Sequence, residues 1–114
     1  MVIQKFEDMK VWQDARVLTK KIYSLTQKKN FRKDYSLRDQ IQRSSVSIMS
    51  NIAEGYERDN NKEFIKFLGY SKGSVGEVRS LLYVALDQEY ISDSEFDSHK
   101  EMAINISTQI ANFK

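Results

Sequence analysis

Apolar residues recur every third or fourth position in four successive segments of the chain, the spacing that places side chains on one helix face. Polar residues fill the positions between them and the short stretches that separate the segments. We therefore predict four amphipathic helices, over residues 7–28, 37–57, 61–88 and 94–113. Helices of this length joined by short polar loops favour an all-α fold, an antiparallel up-and-down four-helix bundle in one domain over residues 1–114.

Helix-capping residues mark the ends of these segments. Asn30 follows the first segment and is a candidate left-handed cap. The stretch from Ser36 to Asp39 resembles a capping box and predicts that the second helix starts at Leu37. Asn60 is the predicted N-cap of the third helix, and the stretch from Ser92 to Glu95 is a capping box for the fourth.

The composition removes most catalytic and metal-binding chemistry. The chain has 0 Cys, 0 Pro and 1 His, which excludes disulfides, thiolate metal sites and a cysteine nucleophile. The single His99 excludes a two-histidine metal site within one chain, and no Glu-x-x-His pair of a di-iron bundle is present. We therefore expect no cofactor, no metal and no enzymatic activity; an enzyme that uses His99 with a neighbouring carboxylate is the alternative.

No segment of the sequence is suited to a bilayer. The longest apolar run, Leu81 to Leu86, is far shorter than the roughly 20 residues that span a membrane. The first residues contain no apolar stretch that resembles a signal peptide. We expect a soluble, cytoplasmic protein without a membrane partner.

The formal net charge of +2 conceals a strong asymmetry along the chain. Basic residues without any acidic neighbour dominate positions 15–33, whereas acidic residues dominate positions 87–101. A basic block predicts binding to RNA or DNA, because each cation that neutralises a phosphate releases counterions. The alternative is that the two blocks face each other across neighbouring helices or stay solvated. The candidate nucleic-acid residues are Lys20, Lys21, Lys28, Lys29, Arg32 and Lys33.

Two rows of small or polar residues suggest close helix packing or a subunit interface. On the second helix the row runs beside the apolar face and comprises Ser44, Ser47, Asn51, Glu54 and Arg58. On the third helix the row comprises Gly69, Gly73 and Gly76. Interior glycines cost about 1 kcal/mol each relative to alanine, which favours close approach of another backbone, from the second helix or from a neighbouring subunit. The alternatives are a locally weak third helix and a solvated second-helix face.

Five stretches of the chain carry a family resemblance. The string Ser-Ile-Met-Ser-Asn-Ile-Ala-Glu-Gly at residues 47–55, with residues 62–68 and 72–77 after it, closely resembles the 23S rRNA intervening-sequence family of four-helix-bundle proteins. The N-terminal residues 6–12 and the pair at 90–91 match the same family, so the resemblance covers nearly the whole chain.

The resemblance implies a bundle that assembles into a ring, usually a homopentamer. Some members of the family are encoded within insertions in bacterial 23S rRNA genes, and for most members no biochemical activity is established. A related branch, the accessory variability proteins of diversity-generating retroelements, forms a basic pentameric barrel that binds nucleic acid and a reverse transcriptase.

Four positions depart from the pattern of that family. Arg32 and Met49 stand where its members often have proline, Gln42 stands in place of a basic residue, and Glu89 stands in place of glycine. The absence of both prolines predicts a smoother second helix, and Gln42 weakens a nucleic-acid function inferred from the family.

Two functions follow as hypotheses. The first is a non-enzymatic homo-oligomeric ring, expected to be a pentamer, that binds RNA or other nucleic acid through the basic block. The second is a ring that serves as a scaffold for a protein partner and has no nucleic-acid ligand. Tyr70, Tyr83 and Phe31 would then be the exposed aromatic anchors.

Overall fold

The computed structural model describes residues 3–113, which fold into four long helices and two short 3-10 turns without any strand. The 3-10 turns cover Phe6–Asp8 and Phe31–Lys33. The long helices are α1 (Lys10–Leu25), α2 (Tyr35–Glu57), α3 (Asn61–Asp87) and α4 (Asp93–Phe113).

The helices form an antiparallel up-and-down bundle. Each helix packs against the next one in the chain, and α1 closes the bundle against α4. The most extensive contact joins α2 and α3. The long dimension of 43 Å fits a bundle one helix long, because the 27 residues of α3 span about 40 Å. The predicted all-α four-helix fold is therefore confirmed.

A single apolar core runs along the axis of the bundle. Every long helix contributes fully buried aliphatic side chains, including Leu18, Ile48, Leu82 and Ile106. Burial of one such side chain stabilises the fold by about 1.5–3 kcal/mol, so the core outweighs the exposed polar contacts described below. Trp12, Met49 and Phe64 pack around this core while half-buried.

The first helix is shorter than the predicted 7–28. It begins at Lys10, because Met9 is extended (φ −77°, ψ 126°), and it ends at Leu25. The buried Thr26 follows, where its hydroxyl donates to the Tyr23 carbonyl (2.9 Å) and accepts from the Gln42 side chain (2.9 Å). The predicted left-handed cap at Asn30 is wrong, since its φ is −84° and its ψ is −32°.

The other caps agree more closely with the prediction. Asn60 accepts from the Glu63 amide (3.1 Å), and Ser92 and Glu95 exchange the two hydrogen bonds of a capping box (2.8 and 3.1 Å). The second helix instead begins at Tyr35, because the N-cap is Asp34, whose carboxylate accepts from the Leu37 amide (3.1 Å).

Phe31 is completely buried, so its prediction as an exposed aromatic anchor is wrong. Its ring stacks on Tyr90 with a centroid separation of 5.4 Å. The Tyr90 hydroxyl in turn donates to the carboxylate of Asp34 (2.9 Å). This hydrogen bond is the first cause of a raised pKa at Tyr90, ahead of desolvation. The α1–α2 connection is thereby fixed to the α3–α4 connection at the same end of the bundle.

The two helices α2 and α3 approach each other closely at Gly55 of α2. A Cβ atom at this position would lie 2.6 Å from the Cβ of Phe67 and 3.4 Å from the carbonyl oxygen of Phe64. Both of these atoms belong to α3. The Cβ of Phe67 is bonded directly to the backbone, so the overlap could be relieved only by moving the backbone of α3. Glycine is therefore required here by the contact between α2 and α3.

We expect Gly55→Ala to destabilise the protein by about 1–2 kcal/mol, because steric overlap with Phe67 exceeds the gain in helix propensity. Ser50→Ala is the matched control, because Ser50 is an exposed residue of the same helix. Alanine should stabilise α2 there by about 0.5 kcal/mol through its higher helix propensity. Urea unfolding monitored by circular dichroism measures both, and a shift of the same sign for the two variants would contradict the packing described.

The end of α3 has a backbone conformation that ordinarily selects glycine. Glu89 has a φ of 61°, in the left-handed region. Its amide donates to the Leu86 carbonyl (2.9 Å) and the Tyr90 amide donates to the Ala85 carbonyl (2.9 Å), the two hydrogen bonds of a Schellman motif. This is the position at which the resembling family has glycine, and the left-handed geometry explains that preference.

Glu89→Gly should stabilise the protein by about 1 kcal/mol, because glycine adopts a positive φ without the clash that a Cβ atom introduces. Gln88→Gly, one residue earlier at a φ of −82°, should instead destabilise it by about 0.5–1 kcal/mol. Thermal unfolding of the two variants beside the parent provides the comparison. A Glu89→Gly variant that is no more stable than the parent would show that the strain lies elsewhere.

Candidate nucleic-acid interface

The six predicted basic residues all lie on the exterior at one end of the bundle. Lys20 and Lys21 lie on the last turns of α1, Lys28 and Lys29 in the turn that follows, and the remaining two in the 3-10 turn before α2. Every one of them is exposed. We call this set the basic surface: Lys20, Lys21, Lys28, Lys29, Arg32 and Lys33.

Three of the six line one groove between α1 and α4, which we call the α1–α4 groove. It has a volume of about 620 Å³. Lys29, Arg32 and Lys33 lie outside it. The groove is lined by Val17, Lys20, Lys21, Ser24, Leu25 and Lys28 on the α1 side and by Glu95 and His99 on α4.

Lys28 is paired with the acidic segment. Its Nζ donates to both carboxylate oxygens of Glu95 (2.6 and 2.8 Å), 67 residues along the chain. The hydrogen bond from Lys28 and then that from the Ser92 amide hold the pKa of Glu95 below its ordinary value. At this one pair the basic and acidic segments do face each other, as the alternative interpretation of the charge asymmetry predicts.

His99 lies at the groove and is anchored by its own helix. Its Nδ1 lies 2.6 Å from the carbonyl oxygen of Glu95, one turn earlier on α4. A carbonyl can only accept, so Nδ1 carries a proton and Nε2 is the ring nitrogen left for other partners. The side chain is half-buried, as expected for a packing histidine.

The polar row of α2 is directed at α3. Ser44 Oγ lies 2.7 Å from a carboxylate oxygen of Glu77, and the hydroxyls of Ser47 and Ser74 lie 2.9 Å apart. Beside them the buried Ser71 donates to the Ile48 carbonyl (2.7 Å). The α3 partners at positions 71, 74 and 77 were missed by sequence reasoning, although their three-residue spacing is that of one helix face.

The other side chains of that row form hydrogen bonds with members of the same row. Asn51 donates to the carbonyl and the hydroxyl of Ser47 (2.9 and 3.0 Å). Arg58 donates to Glu54 (3.1 Å), and its guanidinium carbon lies 5.0 Å from the ring centroid of Phe67. Both members of this ion pair are about half exposed, so it contributes little to stability.

The second helix does not pack against the exposed part of the glycine row of α3. Gly73 and Gly76 are exposed, and no described atom lies within 4 Å of a Cβ built on either. Gly69 is half-buried. The prediction that α2 approaches Gly73 and Gly76 is therefore wrong, and the close approach occurs at Gly55 instead. Contact with a neighbouring subunit stays a prediction for these residues.

Within residues 3–113 no cluster of three or more His, Asp or Glu side chains is arranged to hold a metal ion. No helix in the same range is both long and apolar enough to cross a bilayer.

The ion pair at Glu95 makes stability depend on pH. Because the pKa of Glu95 is lowered on folding, the ionised carboxylate stabilises the protein above its unfolded pKa, and this contribution is lost as pH falls through the folded value. Glu95→Gln keeps the amide oxygen of the capping box and removes the charge. After allowance for solvent screening we expect a loss of about 0.5–1 kcal/mol at pH 7 and a smaller difference at acidic pH.

Urea unfolding across a pH series tests this expectation. Glu101→Gln is the control, because Glu101 is an exposed acid on the same helix without an ion pair among the described residues. A Glu95→Gln deficit that does not shrink towards low pH would contradict the assignment.

Comparisons with known proteins agree with this architecture. The family described as 23S rRNA-intervening sequence protein matches residues 7–112. A crystal structure at 1.70 Å resolution of a protein of unknown function from the S23 ribosomal protein family of Bacteroides thetaiotaomicron has the same fold, with a TM-score of 0.81 at 23% identity, over 90% of this chain and 95% of that one. No curated protein matches the sequence. Since the family match covers nearly all of the sequence, the chain belongs to the 23S rRNA-intervening sequence protein family.

Proposed function

We propose that this protein is a non-enzymatic homo-oligomeric ring, a pentamer, that binds RNA or other nucleic acid through the basic surface. The proposal rests on the exposure of the six basic side chains and on how few of them form ion pairs. All are exposed, and within residues 3–113 Lys28 is the one member that forms an ion pair. The other five are free to bind phosphate, which is how sequence-independent nucleic-acid affinity arises.

The exposed face of α3 supports the ring. Gly73 and Gly76 lie in the open, although each interior glycine costs about 1 kcal/mol in helix propensity. Large side chains flank them: Tyr70 is 51% exposed and Tyr83 is 45% exposed. A small-residue row between exposed aromatic residues suits a neighbouring helix at close range, and a ring needs such a contact to repeat head to tail.

Assembly would strengthen binding without new contacts. A few lysines on one subunit give modest affinity, whereas repeated copies on one ring act together through a high effective concentration. We include in this proposal a cytoplasmic location and the relation to the accessory variability proteins of diversity-generating retroelements that the sequence resemblance implies.

The second candidate is a scaffold ring with a protein partner and no nucleic acid. The exposure of Tyr70 and Tyr83 favours it, because tyrosine is enriched among residues that anchor protein interfaces. A pull-down whose partners survive nuclease treatment would support the scaffold against the nucleic-acid proposal.

The central test is binding of a structured RNA across a salt series. We expect the logarithm of the affinity to fall linearly with that of the salt concentration. Lys29→Gln with Lys33→Gln should weaken binding and reduce the slope by about 0.7–0.9 for each contact removed. Lys62→Gln with Lys66→Gln is the matched control, because it removes the same charge from exposed positions at the other end of the bundle.

Two results would overturn the proposal. Absence of binding at low salt, or a slope unaffected by the basic-surface variant, would exclude nucleic-acid binding through this surface. Light scattering after gel filtration of the same samples should give about five times the 13.4 kDa chain mass, and a stable monomer would exclude the ring.

A further inference from the structure

We propose that the α1–α4 groove receives a single unstacked nucleotide of a single-stranded RNA, with the base against Val17 and the adjoining phosphates on Lys20 and Lys21. The inference rests on the proposed function and specifies the form of nucleic acid that is bound. The basic surface alone would bind duplex and single-stranded RNA alike. The groove would discriminate between them, because only a single strand has unstacked bases.

The floor of the groove is apolar although its rim is charged. Val17 is 46% exposed at this point, and the almost fully buried Leu25 lines the groove two turns further along α1. A phosphate backbone gains nothing from contact with exposed aliphatic surface, whereas the apolar face of a base packs favourably against it. Lysines around an apolar floor are therefore complementary to a nucleotide, which is itself an apolar ring attached to an anion.

The dimensions of the groove favour a nucleotide over a peptide. A volume of about 620 Å³ lies within the ordinary range for small-ligand sites. The α1 side of the groove extends from Val17 to Lys28, whereas the α4 side extends only from Glu95 to His99, a single turn of about 6 Å. An acidic amphipathic helix lying in the groove would need contacts from i to i+7, about 10 Å apart, on both sides, and the α4 side is too short to provide them.

His99 adds a polar and aromatic edge at the same place. Its ring is held by the bond from Nδ1 to the Glu95 carbonyl, and this leaves Nε2 for the edge of a base. Histidine is among the side chains on which unstacked RNA bases stack. The orientation of the ring is set before any ligand arrives, so little entropy is lost on binding.

The charges around the groove favour one path for the RNA strand along the protein surface. Arg16, Lys20 and Ser24 follow one another at four-residue spacing, about 6 Å per step along α1, and Lys28 lies in the turn after the helix. A second concavity beside Val17, lined in part by Arg16 and Lys20, continues this basic path. The α1–α4 seam past Val17 is lined by Asp14, which pairs with Lys10, and by Glu101, which forms no ion pair within residues 3–113, so no excess positive charge attracts phosphate there.

A charge-neutral block of the groove tests the inference. Ser24 is exposed and lines the groove, so Ser24→Trp should fill it without disturbing the core. Ser50→Trp is the matched control at an exposed position of α2, outside the groove. The ligands are a short fluorescent oligouridylate, the same oligonucleotide with abasic sites, and a duplex RNA of equal charge, each measured by fluorescence anisotropy at low salt.

We expect Ser24→Trp to weaken oligouridylate binding about tenfold, while Ser50→Trp leaves it unchanged. The abasic oligonucleotide should bind the parent protein as weakly as oligouridylate binds Ser24→Trp, and duplex binding should be the same for all three proteins. The single histidine gives a second readout, because a stacked base should shift the His99 ring resonances in NMR spectra. The indole resonance of Trp12, the one tryptophan, is the internal reference.

The outcomes separate the two proposals. Equal binding of the intact and abasic oligonucleotides, with no effect of Ser24→Trp and no shift at His99, would overturn the groove inference and leave the basic surface intact. Absence of binding to every nucleic acid would overturn both. Binding of an acidic peptide that Ser24→Trp abolishes, in a protein that binds no oligouridylate, would assign the groove to a protein partner and also overturn the inference.

Discussion

The burial of Phe31 is the interaction on which the basic end of the bundle depends. Its ring enters the bundle from the α1–α2 connection and stacks on Tyr90, which bonds to the N-cap Asp34 of α2. This arrangement anchors a connection that would otherwise be a loop of lysines. Lys29 shortly before Phe31, and Arg32 and Lys33 just after it, are consequently held on the surface by an apolar contact, while Lys28 also pairs with Glu95. Like charges remain close together because the stacking and burial of one aromatic ring offset their mutual repulsion.

Small residues have two different roles in the α2–α3 hairpin. Inside the contact, Gly55 admits the backbone of α3, and serine hydroxyls bridge the helices at Ser47 and Ser71. Ser71 is buried and Ser47 is half-buried, and both hydroxyls have hydrogen-bond partners, so the close packing carries no unsatisfied polar group at these positions. Outside the contact, Gly73 and Gly76 stay uncovered. The contact between α2 and α3 is thus fully formed within one chain. The exposed glycines take no part in it and lie on the outer face of α3.

Periodicity and capping residues were sufficient for the fold but not for the site. The helix period depends on local sequence, and so do caps such as Asn60 and Ser92, which is why these predictions hold. The end of α1 at Leu25 depends on Thr26 and its distant partner Gln42, and the burial of Phe31 depends on Tyr90. Gln42 stands where the family has a basic residue, yet it lies in this α1–α2 contact and not on the basic surface. The α1–α4 groove joins segments almost seventy residues apart, a proximity that no local pattern encodes.

The up-and-down topology brings both charged segments to the same end of the molecule. Connections one and three of such a bundle lie together, so the lysines before α2 are near the acids that precede and begin α4. The pair of Lys28 with Glu95 joins the two regions; Lys20 and Lys21 extend from it along α1, and Lys29, Arg32 and Lys33 lie in the connection to α2. Because exposed charges are screened over about 8 Å at physiological ionic strength, a ligand at this end would experience the nearby lysines more than the net charge of +2. Under the proposed function, separate positive and negative regions would orient a polyanion along the lysines, whereas a uniformly basic end would bind it in any direction.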